Sequence, residues 1–136
     1  MVEMELNKII INEKRHEQII VLKEKNGSRS LPIVIGLLEA TAIKMKIGGV
    51  EPLRPLTHDL LKSTIEHLHA RLEKVVIDKL ENNTFYAKLI VHAVNAEVQS
   101  IDARPSDSIA LAVRMNAPIF VEEEVLKSSE MFNVSE

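Results

Sequence analysis

The stretch Val75–Val94, VVIDKLENNTFYAKLIVHAV, decides the fold class. It opens on a β-branched run, Val75 to Ile77, and breaks at Glu81, Asn82 and Asn83. From Thr84 to Val94 it resumes with aromatic and β-branched residues. Two such runs around a short polar break read as antiparallel strands joined by a tight turn. Strand character starts at Arg71, and a second turn near Asn95 leads to a third strand, Val98 to Ile101. Asp102, Ala103, Arg104 and Pro105 then end the extended chain, and Ser106 reads as the N-cap of a helix through Ile109, Ala110, Ala112 and Val113, with Pro118 closing that region. A short strand, Ile119 to Val121, follows.

On the N-terminal side, Thr57, His58, Asp59, Leu60, Leu61, Ile65 and Leu68 form a helical pattern, with Thr57 as its N-cap and Asp59 in the first turn. A proline-containing loop, Val50 to Leu56, precedes it. Before that loop, Leu37, Leu38, Thr41, Ala42 and Met45 recur at helical spacing and stop at Gly48 and Gly49. Leu31 to Ile35 is a strand with Pro32 inside it, which assigns it to an edge or a strand start because proline cannot donate to the ladder. Val2 to Ile11 and Gln18 to Leu22 read as a hairpin. The sum is an α+β domain with a mixed, largely antiparallel sheet and about three helices over residues 1–125. An acidic tail over 126–136 is free to fray.

Composition agrees with one domain. The 136 residues are 46% apolar and 27% charged, ordinary values for a globular chain. Roughly two thirds of the surface of an extended chain this long is buried on folding, so no disulfide or metal staple is needed. The absence of cysteine excludes thiol catalysis and Cys-ligated zinc and fits a reducing, cytoplasmic setting. No apolar run approaches the length of a membrane span, so no membrane partner is expected. A net charge of -3 gives no global field for an anionic polymer, which confines any nucleic-acid contact to a local site. With 3% aromatic residues, an extended base-stacking platform is excluded as well.

Two segments echo one another. Arg54-Pro55-Leu56-Thr57-His58-Asp59 and Arg104-Pro105-Ser106-Asp107 each place an arginine, a proline, a hydroxyl and a carboxylate at a helix start. Free N–H donors and partial positive charge there, beside an arginine, suit a phosphate. This marks Arg54, Thr57, Arg104 and Ser106 as phosphate-binding candidates, although capping and structural ion pairs alone account for each residue type at its position and are the favoured reading. Phosphodiester hydrolysis commonly uses a hard cation held by one or two carboxylates. The candidate ligands are Asp102, Asp107 and Glu39, with Asp59 as a further carboxylate, and a structural Asp–Arg ion pair explains Asp102 and Arg104 as well. His58, between Thr57 and Asp59, is the histidine placed for acid or base work or a phosphate contact, beside a structural role that the residue type favours. No zinc-binding, nucleotide-loop or serine-nucleophile motif is present.

The strings Leu31-Pro32-Ile33-Val34-Ile35-Gly36, Glu39-Ala40-Thr41-Ala42-Ile43, Arg54 to Leu61, Thr84-Phe85-Tyr86-Ala87 and Asp102 to Asp107, taken in order, resemble the bifunctional nuclease domain family over about Leu31 to Val125. That family was long catalogued as a domain of unknown function and is named for members that degrade both DNA and RNA. The resemblance implies an α+β fold, a homo-oligomer with a dimer favoured, and nuclease activity. On that reading Asp59, His58 and Asp107 are catalytic. Mg²⁺ or Mn²⁺ is the cofactor, with no organic cofactor expected, and nucleic acid is the partner. The other function the residues allow is a non-catalytic phosphate-binding, nucleotide-binding or assembly module. The chain departs from the family pattern at Ser108, where alanine is frequent, and in a short Val94–Ser100 segment.

Overall fold

The computed structural model describes residues 1–12, 14 and 16–134. Eleven elements follow one another: β1 (Val2–Ile10), β2 (Gln18–Glu24), β3 (Ser30–Ile35), α1 (Leu37–Ile47), α2 (Thr57–His67), β4 (Ala70–Glu81), β5 (Thr84–Ala93), β6 (Val98–Ala103), α3 (Pro105–Met115), β7 (Ile119–Val121) and α4 (Glu123–Val134).

The β4–β5 hairpin forms because Asn82 and Asn83 both take positive φ, 53° and 61°, and so close a two-residue turn between the paired Glu81 and Thr84. Asparagine accepts that conformation more readily than any other residue with a side chain except aspartate, and the turn's twist matches that of the strands. Val75, Val76 and Ile77 are all buried, as expected of a central strand covered on both faces. On β5, burial falls on Ala87, Leu89 and Val91, the alternate residues of a half-buried strand.

All seven strands form one sheet in the order β3-β2-β1-β7-β4-β5-β6. The three-residue β7 joins its halves, pairing antiparallel with β1 and parallel with β4; the other pairings are antiparallel. The sheet is therefore mixed and largely antiparallel. Pro32 lies on the edge strand β3, where a missing N–H costs least.

Helix α3 is the central helix, with Ile109, Ala110, Leu111 and Ala112 buried in the main core beside Ile20, Leu22, Ile77 and Val121. Each large aliphatic side chain buried there contributes about 2 kcal/mol. Helix α1 adds Ala40 and Ile43, whereas α2 has no buried residue. There are four helices rather than about three, because α4 occupies most of the expected acidic tail. Val125 and Leu126 enter the core, and Arg29 clasps Glu123 of α4 with two hydrogen bonds (2.7 and 3.0 Å) and also bonds Glu24. Of that tail, Ser135 and Glu136 lie outside the described residues.

Two expected caps are displaced. Leu56, not Thr57, is the N-cap of α2, because the Asp59 carboxylate already satisfies the Leu56 N–H at 2.9 Å and the helix starts one residue earlier. Arg104, not Ser106, is the N-cap of α3, since Pro105 has its φ preset and no N–H to lose at the first helical position. Helix α3 also stops before Pro118, at Asn116, whose φ of 52° ends it in the left-handed region.

Candidate functional site

Three helix starts meet at one place. With Gly36, Leu56 and Arg104 as N-caps, Glu39, Asp59 and Asp107 each occupy the third position of their helix, where a carboxylate meets the positive end of the dipole. Their uses differ. Asp59 reaches back to the Leu56 N–H and accepts from Arg114 Nε at 2.8 Å. Asp107 accepts from two side chains, His58 Nε2 at 2.9 Å on Oδ1 and Arg104 Nε at 2.8 Å on Oδ2. Glu39 accepts from Arg104 Nη2 at 3.1 Å. One guanidinium thus joins the starts of α1 and α3, and one imidazole joins α2 to α3.

These groups line an open cleft of about 430 Å³ whose wall includes Glu39, Thr57, His58, Arg104 and Asp107, with Leu38 and Met45 as apolar surface. Burial raises the Asp107 pKa, but the Arg104 and His58 hydrogen bonds outweigh it and hold the carboxyl below the usual aspartate value. Asp107 is therefore ionised at neutral pH and can only accept, so the His58 Nε2 must carry the proton. Nδ1 has no hydrogen-bond partner among the described residues. The Asp107 carboxylate raises the Arg104 pKa, so that side chain, 66% exposed, stays a cation facing solvent.

The structure thus brings together Glu39, His58, Arg104 and Asp107 and sets Thr57 on the rim of the same cleft. Asp59 is turned to Arg114 instead. Asp102, on β6, pairs with Lys88 at 3.2 Å and has a side chain 78% exposed. Arg54 is exposed in the loop before α2, two residues outside the N-cap, whereas Arg104 is itself a cap, so the two Arg-Pro segments are not equivalent in space. Ser106 is buried and lines a neighbouring cleft together with Arg104. Ser108, the departure from the family pattern, is wholly buried and donates to the Arg104 carbonyl at 2.9 Å.

Sequence reasoning missed Arg114. Its side chain, 3% exposed, donates to Asp59, to the Ala110 carbonyl at 3.0 Å and to the Ala42 carbonyl at 3.2 Å, tying α1, α2 and α3 together behind the cleft. The available signal was a charge ending the otherwise apolar run Ile109–Val113.

The donor set can be weighed against a divalent cation. Among the described residues no group of three or more histidine, aspartate or glutamate side chains is placed to hold a metal ion. Glu39 and Asp107, however, reach the same guanidinium, and two carboxylates are what Mg²⁺ commonly takes from a protein when phosphate and water complete its shell. In the structure Arg104 balances that pair, His58 takes the other Asp107 oxygen, and Asp102 is paired with Lys88.

Among the described residues no helix is long and apolar enough to cross a membrane. The sequence pattern of the family described as "Bifunctional nuclease domain" matches residues 20–133. A protein of Mycobacterium tuberculosis (strain ATCC 25618 / H37Rv), itself described as uncharacterized, is 46% identical over 126 residues, covering 93% of this chain and 74% of its own. Bifunctional nuclease 2 of Oryza sativa subsp. japonica is 30% identical over 127 residues, 91% of this chain. Bifunctional nuclease 1 of Arabidopsis thaliana is 26% identical over 118 residues. The match spans only 39% and 36% of those two plant proteins.

Proposed function

We propose, from the premise that the chain belongs to the bifunctional nuclease domain family, that it hydrolyses phosphodiester bonds of DNA and RNA in the cleft between the starts of α1, α2 and α3. The observation that carries the reading is the 2.9 Å bond from His58 to Asp107 beside the solvent-facing Arg104. Asp107 fixes the ring and its tautomer, leaving Nδ1 to take a proton from an attacking water. Arg104 gives its outward N–H groups to the phosphate oxygens, with Thr57 at the rim and Arg54 in the adjoining loop as further phosphate contacts. Glu39 and Asp107 would hold Mg²⁺ or Mn²⁺, which when bound supplies Lewis-acid polarisation of the phosphate. No organic cofactor has a role in this scheme.

A homo-oligomer, with a dimer favoured, is part of the same reading. Leu60, Leu61 and Leu68 are exposed on and just beyond α2, where a second copy would cover them. A cytoplasmic setting is consistent with a chain free of cysteine.

The test is cleavage of end-labelled single- and double-stranded DNA and RNA by the purified protein with Mg²⁺ or Mn²⁺. The wild type should cleave, and His58→Ala should lose at least about a hundredfold in rate, the usual contribution of a general base. A wild type that binds oligonucleotide without divalent-dependent cleavage would leave the non-catalytic phosphate-binding module as the function. Sedimentation of the wild type as a monomer would remove the oligomer.

A further inference from the structure

Arg104 is a wall between two clefts. On its far side from His58 lies a hollow of about 460 Å³, within the range of small-molecule sites, lined by Pro32 and Val34 of β3, Phe85 of β5, Glu17, and Ser106 at the start of α3. The start of α3, from Arg104 to Ser106, forms part of the wall of this hollow. Pro105 has no N–H to offer, and the Ser106 and Asp107 N–H groups precede the first helical bond, which runs from Ser108 to the Arg104 carbonyl. Independently of the helix end, Ser106 is only 6% exposed and its hydroxyl has no partner among the described residues. It is not a sealed orphan either, since Asp78 Oδ1 is the atom of that kind among them. A buried serine hydroxyl that is neither bonded nor sealed, on the wall of a cleft, is open to a ligand acceptor.

We propose that this second cleft binds the nucleotide unit next to the scissile phosphate. Its phosphate accepts from the Ser106 hydroxyl, the Ser106 N–H and Arg104, and its base lies against Phe85, Pro32 and Val34. The assignment rests on the nuclease reading of the neighbouring cleft and deepens it: the substrate is a strand that crosses Arg104, with consecutive phosphates on either side of the guanidinium. A shortage of aromatic residues rules out an extended stacking platform but leaves room for one base on one ring. Glu17 on the same wall opposes a free anion, so a nucleotide with an apolar face is the ligand and inorganic phosphate is a poor one.

Titration of the isotope-labelled full chain with a 5′-mononucleotide, followed by NMR, tests the assignment. Saturable shifts are expected at the Ser106 and Asp107 amides and at the Phe85 ring. Ser106→Ala should weaken binding about tenfold, the value of a hydrogen bond to a charged acceptor. The matching nucleoside, lacking phosphate, should bind the wild type more weakly by at least the same factor. Equal binding of nucleoside and nucleotide, wild-type affinity in Ser106→Ala, or shifts confined to the His58 side of Arg104 would each overturn it. The titration reads binding and not cleavage, so its failure leaves hydrolysis by His58 standing, and a failed cleavage assay leaves the nucleotide site standing.

Discussion

His58 Nε2 and Asp107 Oδ1, forty-nine residues apart in sequence, meet at 2.9 Å across the starts of α2 and α3. The contact sets a histidine tautomer through a carboxylate that the Arg104 cation keeps ionised. Asp107→Asn should disturb it without emptying the space. An amide can offer its NH₂ to the ring and reverse the preferred tautomer, so the base loses its lone pair where it is needed. The expected outcome is a fall in kcat of about 10² to 10⁴ with KM changed only a few-fold, read by steady-state cleavage of a single-stranded oligonucleotide. An equal rise in KM with kcat intact would mean that Asp107 serves only binding.

Arg114 acts behind the cleft rather than in it. Its guanidinium is buried and bonds Asp59 and two backbone carbonyls, so Arg114→Met strands the Asp59 carboxylate and both oxygens. Asp59 is 31% exposed, so the loss is that of unpaired acceptors, about 1 to 3 kcal/mol. Urea unfolding of Arg114→Met should show that loss. Arg114→Met with Asp59→Leu should recover part of it, because the carboxylate is then no longer left without its partner.

Acid should unfold the protein through the same carboxylates. Burial raises the Asp59 pKa, but the Leu56 N–H and Arg114 outweigh it, and Asp107 is lowered likewise, both from an ordinary value of 3.8. A carboxyl whose folded pKa lies below its unfolded one adds stability above the unfolded value, and that stability is lost as pH falls through the folded value. Stability should therefore be level in these two groups above about pH 5 and decline below pH 4. Asp59→Asn should flatten the decline in urea midpoints measured between pH 2 and 6. An unchanged slope would show that Asp59 titrates alike in both states.

Local chemistry made much of the fold legible. The Asn82-Asn83 turn, the edge proline Pro32 and the Gly48-Gly49 stop each depend on the backbone preferences of one or two residues, and each lies where its sequence puts it. The α2 pattern misled in part: Leu60, Leu61 and Leu68 share helical spacing with Ile65, yet they are exposed while Ile65 packs against the core. Periodicity locates an apolar stripe but not what covers it. The site was half legible for a related reason. Residue type, with a helix-start position for His58, Arg104 and Asp107, singled out these three and Glu39, but their convergence, and the diversion of Asp59 to Arg114 and of Asp102 to Lys88, depend on tertiary packing that spacing does not encode.

The two kinds of carboxylate should separate in their dependence on metal. Glu39 and Asp107 both bond Arg104 in the cleft, whereas Asp102 sits on the exposed edge strand β6 with Lys88. A cation held by the first pair is weakened when either carboxylate becomes an amide, since a charged oxygen ligand is replaced by a neutral one. Glu39→Gln should therefore raise the Mn²⁺ concentration for half-maximal cleavage about tenfold or more, while Asp102→Asn should leave it within about twofold. Chelation of the wild type should abolish cleavage, and added Mn²⁺ should restore it. An Asp102→Asn effect as large as that of Glu39→Gln would move the cation to the sheet edge, and cleavage that survives chelation would leave His58 and Arg104 to carry the reaction without it.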